Sequence, residues 1–487
     1  MRGYPVRGLH IQFGGDAARE VVVSWFTEVP VTGAHVRVTP RDAGATRAVD
    51  AATRSYTDAR SGRSIHAHHA VVTGLTPDVQ HDVVAVHDGA SPEHGDWRTA
   101  PTGRAPLSFT TFGDQGVPMD PDEAAVLGLP VPGGGLGAPE AAGTTAGVES
   151  LRPLFHLPAG DLAYTNLAVD RVETWVRYWD HTSTSARFRP WMPVAGNHEN
   201  ELGNGPLGYD AYRTFFALPH AEGHTEASRG LWYAFTTGSV RIVGIHTDDL
   251  ALQDAGDSYV HGYSGGAQLT WLRNELATAR TDPDIDWIVV VGHQVCMSTA
   301  DLANGGDLGL RRTLIPLCDE FDVDLVLGGH DHHYERSHPI RGCADNETLT
   351  PYRHPPTPAT SMPPAARCIC WWAAVAPPRR PPRASRLPRR AASSPVSASP
   401  TPRSVAACPT TCERTRPGPR VAIWRIPTAS RTSRSIRGPG RVSRPISSSP
   451  TTTSWTSTEP CASSSDSRSH APARTAPRTT PAGHCTR

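Results

Sequence analysis

The chain has 487 residues, 19% charged and 38% apolar, with 46 prolines and 44 glycines, enough for two to four domains at about 150 residues each but low in apolar content for one globule. Every basic side chain is arginine, and residues 351–487 hold 22 of them against three acids (Glu413, Glu459, Asp466), leaving 25 arginines against 44 acids in residues 1–350. A formal net charge of zero therefore hides an acidic body and a basic tail, which excludes a uniformly basic nucleic-acid binder. No apolar run reaches the roughly 18 residues of a membrane span, and no cysteine pair has zinc-type spacing in a folded context.

Residues 1–104 read as a small all-β sandwich. Leu9–Phe13, Val21–Phe26, Ala34–Val38, His69–Thr73 and His81–Val86 are strand-like, and the turn-like Leu75–Asp78 lies between the last two. His66, His68 and His69 are expected on an exposed strand face, with no catalytic constellation nearby.

Residues 105–350 change to α/β layering. The predicted strands are Ser108–Phe112, Leu154–Leu157, Trp191–Ala195, Val240–His246, Trp287–Val291 and Val323–Leu327. Val117–Gly147 is rich in Gly and Pro and reads as a long surface loop. Asp170–Asp180 and Gly266–Arg280 are predicted helices, the second with Leu269, Leu272 and Leu276 on one face.

Five of these strands run into short loops loaded with Asp, Asn or His. They are Gly113-Asp114-Gln115-Gly116, Gly160-Asp161-Leu162-Ala163-Tyr164, Gly196-Asn197-His198-Glu199, Gly292-His293 and Gly328-Gly329-His330-Asp331-His332. The carboxyl ends of strands in open α/β sheets form the ligand crevice, so five such loops make a site. Carboxylate oxygens and imidazole nitrogens suit iron, zinc and manganese. Two ions about 3.5–4 Å apart would clamp a phosphoryl group and acidify a bound water. Cys296 reads as a buried structural cysteine.

In this order, GDQG, GDLAY, GNHE, VVVGH and GHDHHYER resemble the motifs of the calcineurin-like metallophosphoesterase superfamily. Within it the chain is similar to the purple acid phosphatases, on two features: Tyr164, three residues after Asp161, and a preceding sandwich that looks like their fibronectin type III-like domain. The resemblance covers about residues 6–345 and implies a four-layer metallophosphoesterase β-sandwich flanked by helices. It implies a binuclear centre of Fe(III) plus a divalent ion (iron, zinc or manganese). Asp114, Tyr164 and His332 would bind the ferric ion, Asn197, His293 and His330 the divalent ion, and Asp161 both. His198 would face the substrate phosphate, Glu199 would orient its neighbours, and Tyr334, Glu335 and Arg336 would lock the histidine loop.

The implied activity is acid hydrolysis of phosphate monoesters by attack of a metal-bound hydroxide. The alternatives are a related enzyme cleaving diesters or nucleotide pyrophosphates, or an inactive product of a damaged gene. The implied partner is a small phosphorylated substrate, with neither nucleic acid nor membrane, and the intact gene product is expected to be exported. Well-known plant members carry a further histidine pair after the VxxH histidine. Here no histidine stands between His293 and His330, which leaves the leaving-group acid open.

Beyond about Thr350 the pattern fades. Residues 351–487 carry 25 of the 46 prolines, no sustained periodicity and too little apolar surface to offset ordering, so disorder is expected. A lysine-free chain suggests GC-rich DNA, and such DNA read out of frame gives Pro, Arg, Ser and Ala. The hypothesis is a frameshift near residues 345–365 that removes the last strands and leaves a sheet edge unpaired. A genuine basic tail that binds the acidic body or polyanions is the rival. Resequencing the gene across these codons is expected to reveal an insertion or deletion, and an intact frame would refute the hypothesis.

Overall fold

The computed structural model describes residues 4–117 except 43, residue 137, residues 141–299 except 204 and 253–259, residues 304–353, and the backbone of Cys368–Trp372 and Ala422–Ile426. The N-terminal sandwich contains β1 (Arg7–Phe13), β2 (Val21–Thr27), β3 (His35–Pro40), β4 (Arg47–Asp50), β5 (Ala52–Thr57), β6 (Ser64–Val72), β7 (Gln80–Val86) and β8 (Glu93–Arg98). They form two antiparallel sheets, in the orders β1-β2-β6-β5 and β4-β3-β7-β8. Strand β7 buries His81, Val83 and Ala85 in strict alternation, the pattern of a strand with one face inward. Strands β4, β5 and β8 were not anticipated. All three are sheet edges in which polar residues prevail, so few apolar positions mark the strand.

The second domain begins with β9 (Leu107–Phe112), α1 (Ala141–Ser150), β10 (Phe155–Pro158), α2 (Arg171–Ala186) and α3 (Asp210–Phe215). It continues with β11 (Tyr233–Thr237), β12 (Val240–Gly244), α4 (Ala267–Thr281), β13 (Trp287–Val291), α5 (Leu308–Glu320), β14 (Leu325–Leu327), β15 (Tyr334–Cys343) and β16 (Pro351–Arg353). Two further strands are β17 (Cys368–Trp372) and β18 (Ala422–Ile426). One sheet has the order β11-β12-β13-β14-β17-β15-β16 and the other β10-β9-β18. Strands β12, β13, β14 and β17 are parallel neighbours, as are β9 and β10, so their carboxyl ends point the same way within each sheet. No helix among the described residues is long and apolar enough to cross a membrane.

Several expectations shift. Trp191–Ala195 is not a named strand; it lies along β10 through the isolated parallel bridges His156–Trp191 and Ala159–Val194. In α4 the buried stripe is Gln268, Trp271, Leu272, Leu276 and Ala279, while Leu269 is exposed. The stripe lies one residue off because the Gln268 amide is drawn inward to Asp249 Oδ2 (2.9 Å) and the His246 carbonyl (3.0 Å). Most of the expected loop 117–147 lies outside the described residues, and its last part begins α1. Of the tail, β17 inserts between β14 and β15, and β18 pairs antiparallel along β9. Those two positions are therefore filled rather than left open. The rest of the expected disorder falls outside the described residues.

The two domains share one core. Phe13 of β1 packs on Phe155 of β10 and Phe235 of β11, with ring centroids 5.9 and 6.1 Å away. His10 stacks on Trp179 of α2 at 3.9 Å. Strand β2 is buried at all seven positions because the second sandwich sheet covers one face and the second domain the other. The expected exposed histidine face of β6 is overturned for the same reason: His68 and His69 are buried. His69 Nε2 lies 2.9 Å from the Thr214 carbonyl at the end of α3, and its Nδ1 lies 2.8 Å from Ser24 Oγ. A neutral ring satisfies both, donating from Nε2 and accepting at Nδ1.

Burial, aided by the charge of Arg54, lowers the His69 pKa to about 3. The unfolded chain binds that proton near the ordinary value of about 6.5, so stability is full above pH 6.5 and falls as pH drops towards about 3. The expected slope is about 1.4 kcal/mol per pH unit for this group. Urea midpoints at neutral and acidic pH should show the loss, and His69→Gln should reduce the acid slope. An unchanged slope in the variant would refute the assignment.

Candidate metal centre

The five polar loops converge at the carboxyl ends of β9, β10, β13 and β14 and of the segment ending at Ala195. To turn a ligand back over the strand that precedes it, the backbone enters the left-handed region. Asp114 (φ 52°), Asp161 (φ 50°), Tyr164 (φ 57°) and His330 (φ 73°) are four of eight such non-glycine residues among those described. The conformation costs roughly 1–2 kcal/mol per residue, so surrounding packing must hold it. Two motif glycines allow the close approach. A Cβ on Gly196 would lie 2.3 Å from Asp161 Oδ1, and one on Gly329 would lie 2.5 Å from the Ala159 carbonyl oxygen.

The predicted ligands fall into two groups. In the first, His293 Nε2 lies 3.0 Å from Asp161 Oδ2, 3.0 Å from Asn197 Oδ1 and 3.2 Å from His330 Nδ1. In the second, Tyr164 Oη lies 3.0 Å from His332 Nε2 and 3.4 Å from Asp114 Oδ1, and His332 Nε2 lies 3.3 Å from Asp114 Oδ1. The His330 backbone N–H donates to both Asp114 oxygens at 3.1 and 2.9 Å, which joins the groups. Every predicted ligand thus has a place in one group or the other.

The donor chemistry fits a cation. His293 Nδ1 is committed to the Ala159 carbonyl at 2.7 Å, so in the neutral ring Nε2 carries a lone pair. That lone pair faces a carboxylate oxygen, an amide oxygen and a second imidazole nitrogen. A metal ion resolves the conflict, and the oxygen and nitrogen set suits iron, zinc or manganese. The electrostatics make the same demand. Burial opposes charge on His293, yet Asp161 and then Asp114 pull its pKa up to about 10. Burial likewise opposes a positive His332, and Asp114 raises its pKa nonetheless. The Tyr164 phenol is pushed well above its ordinary value by burial and by Asp114 and Asp161.

Glu199 is fully buried and accepts three backbone N–H groups, from Gly196 (2.8 Å), Asp161 (2.9 Å) and Leu162 (2.8 Å). It therefore ties the Asp161 loop to the Asn197 loop, the orienting role expected of it. Burial and the charge of Asp161 push its pKa up to about 8, against the pull of the N–H groups. His198 donates its backbone N–H to Asp161 Oδ1 at 2.8 Å. Its Nδ1 lies 2.9 Å from Asn166 Oδ1, its Nε2 lies 4.0 Å from Asp161 Oδ2, and its ring packs 4.4 Å from that of Tyr164. Asn166 was not foreseen, and its signal was its place two residues after Tyr164. Glu335 accepts from the Thr299 N–H (2.9 Å) and Oγ1 (3.0 Å) and lies 2.9 Å from His333 Nε2, so it does brace the histidine loop. Cys296 is buried, and burial raises its thiol to about 12, in line with a structural role.

Residues 6–102 match the purple acid phosphatase N-terminal domain, and residues 144–334 match the calcineurin-like phosphoesterase domain. Over 351 residues the chain is 52% identical to an uncharacterised protein of Mycobacterium tuberculosis, a match covering 71% of this chain and 65% of that protein. The chain thus spans about two thirds of that relative. Purple acid phosphatase 21 of Arabidopsis thaliana is 32% identical over 189 residues, 38% of this chain and 39% of the plant protein. Among solved structures, a purple acid phosphatase from yellow lupin (Lupinus luteus) seeds shares the fold, with a TM-score of 0.54 and 20% identity over 69% of this chain and 60% of that one. By its two domains, the chain belongs to the calcineurin-like phosphoesterases as a purple acid phosphatase-like member.

Proposed function

We propose that the chain hydrolyses phosphate monoesters at a binuclear centre of Fe(III) and a divalent ion, and that the intact gene product is exported. The observation that carries the reading is the pair of donor groups, one built on His293 and one containing the Tyr164 phenol. Asp114, Tyr164 and His332 would hold the ferric ion, Asn197, His293 and His330 the divalent ion, and Asp161 would bridge them. Two ions held there polarise the phosphoryl group and acidify water.

The chain's own residues supply position and proton control. Asn166 Oδ1 accepts from His198 Nδ1–H and fixes the ring, so that Nε2 is the atom left for the phosphate. The packed Tyr164 ring limits its tilt. In the doubly protonated ring Nε2 donates to a phosphoryl oxygen, an interaction that strengthens as charge gathers there in the transition state. Glu199 holds the two loops at fixed separation.

Hydrolysis of p-nitrophenyl phosphate over about pH 4–9 tests the reading, with metal content and visible absorbance read on the same sample. Asp161→Asn should cost at least about 100-fold in activity and lower the bound metal. A visible band that Tyr164→Phe abolishes would support the ferric assignment. Faster cleavage of bis-p-nitrophenyl phosphate than of the monoester would overturn the monoester reading.

Glu199→Gln offers one acceptor oxygen where three N–H groups converge. Each buried group left unsatisfied costs about 1–3 kcal/mol. The expected outcome is a lower urea midpoint together with about 10- to 100-fold weaker metal retention against a chelator. Retention at the wild-type level would remove Glu199 from the orienting role.

A further inference from the structure

We infer that the β5–β6 hairpin of the N-terminal sandwich, acting through Tyr56, sets the position of the two loops that carry Asn166 and His198. The inference rests on the phosphatase reading above.

Tyr56 is the last residue but one of β5, and its hydroxyl donates to Glu201 Oε2 at 2.5 Å. Glu201 lies three residues after His198. Its other oxygen accepts from Trp175 Nε1 at 3.2 Å, and its backbone carbonyl accepts from Arg171 Nη2. Arg171 Nη1 lies 3.5 Å from Asp58 Oδ1 in the same hairpin and 3.9 Å from Glu201 Oε2. Arg60, two residues on, donates to the Ala168 carbonyl at 2.6 Å, and Ala168 lies two residues after Asn166. The hairpin therefore grips both loops just beyond the point where Asn166 and His198 meet each other.

The grip is built of buried charge. Tyr56, Asp58, Arg171 and Glu201 are each at least nine-tenths buried. Burial opposes ionisation of Asp58, but the Ser61 hydroxyl and the Arg60 and Ser61 N–H groups outweigh it and lower its pKa. Burial raises the Glu201 pKa, while Tyr56 and Arg171 act to keep the group ionised. Buried polar groups that lose a partner are costly, which favours the arrangement that keeps these contacts. Removing the Tyr56 hydroxyl leaves Glu201 Oε2 facing Arg171 at 3.9 Å. The Glu201 loop is then free to relax, and His198 moves with it. Displacements of about 1 Å at a positioned group cost up to about 100-fold in rate.

The test uses the full chain loaded with metal. Tyr56→Phe keeps the ring and removes the hydroxyl. Three quantities are read: kcat/KM for p-nitrophenyl phosphate, bound metal, and amide hydrogen exchange of residues 165–168 and 198–202. The expected result is about a 10-fold fall in kcat/KM, several-fold faster exchange in both loops, and unchanged metal content. Val83→Ala, in the β7 core away from the hairpin, should lower Tm while leaving kcat/KM and loop exchange at wild-type values. Wild-type rates and exchange in Tyr56→Phe would overturn the inference, as would equal losses in Val83→Ala. If the unaltered chain hydrolyses no phosphate ester, the phosphatase reading fails on its own. Loop exchange in Tyr56→Phe then still decides whether the hairpin sets these loops.

Discussion

A buried histidine nitrogen held against a carboxylate oxygen, an amide oxygen and a second imidazole is the constraint on which the rest of the structure turns. His293 Nε2 meets Asp161, Asn197 and His330 at hydrogen-bond distance, with its own Nδ1 already engaged. Lone pairs held together in a low-dielectric interior repel strongly unless positive charge sits among them. The scaffold must therefore hold donors close that would otherwise part. It does so with glycines that permit contact, with left-handed backbone at four of the donor residues, and with Glu199 drawing three N–H groups together.

The sheets explain how such a site is sustained. Parallel strands deliver their loops to a common end, and the core beneath continues without a break into the sandwich. The sandwich is not an appendage. Its second strand is buried on both faces, its histidines bond to the end of α3, and its β5–β6 hairpin reaches the loops beside His198.

The sequence made some of this legible and hid the rest for physical reasons. Asp114, Asp161, Asn197, His293 and His330 could be found because each follows an apolar run by only a few residues, so local pattern alone places them at the end of a buried run. Inner strands such as β2 and β13 were equally plain. The edge strands β4, β5 and β8 were not, since their mostly polar residues leave few apolar positions to write into the pattern. Trp191–Ala195 looked like a strand because it is apolar, yet it makes only isolated bridges. Contacts between chain segments far apart were invisible: Tyr56 and Glu201 are 145 residues apart, as are His69 and Thr214. His68 and His69 were misread as exposed because one is covered within the sandwich, by Trp25 and His87, and the other by the end of α3, partners distant in sequence that strand periodicity does not encode.

The left-handed backbone at Asp114, Asp161, Tyr164 and His330 carries a lesson for protein engineering. Placing these side chains at matching points on another α/β scaffold would not rebuild the centre. In an ordinary strand-to-loop exit, the Cα–Cβ vectors would point elsewhere. A transplant would have to move whole loops, with the glycines that precede them and the glutamate that ties them. The transferable unit is thus the loop with its curvature, and the donor atoms come along as passengers.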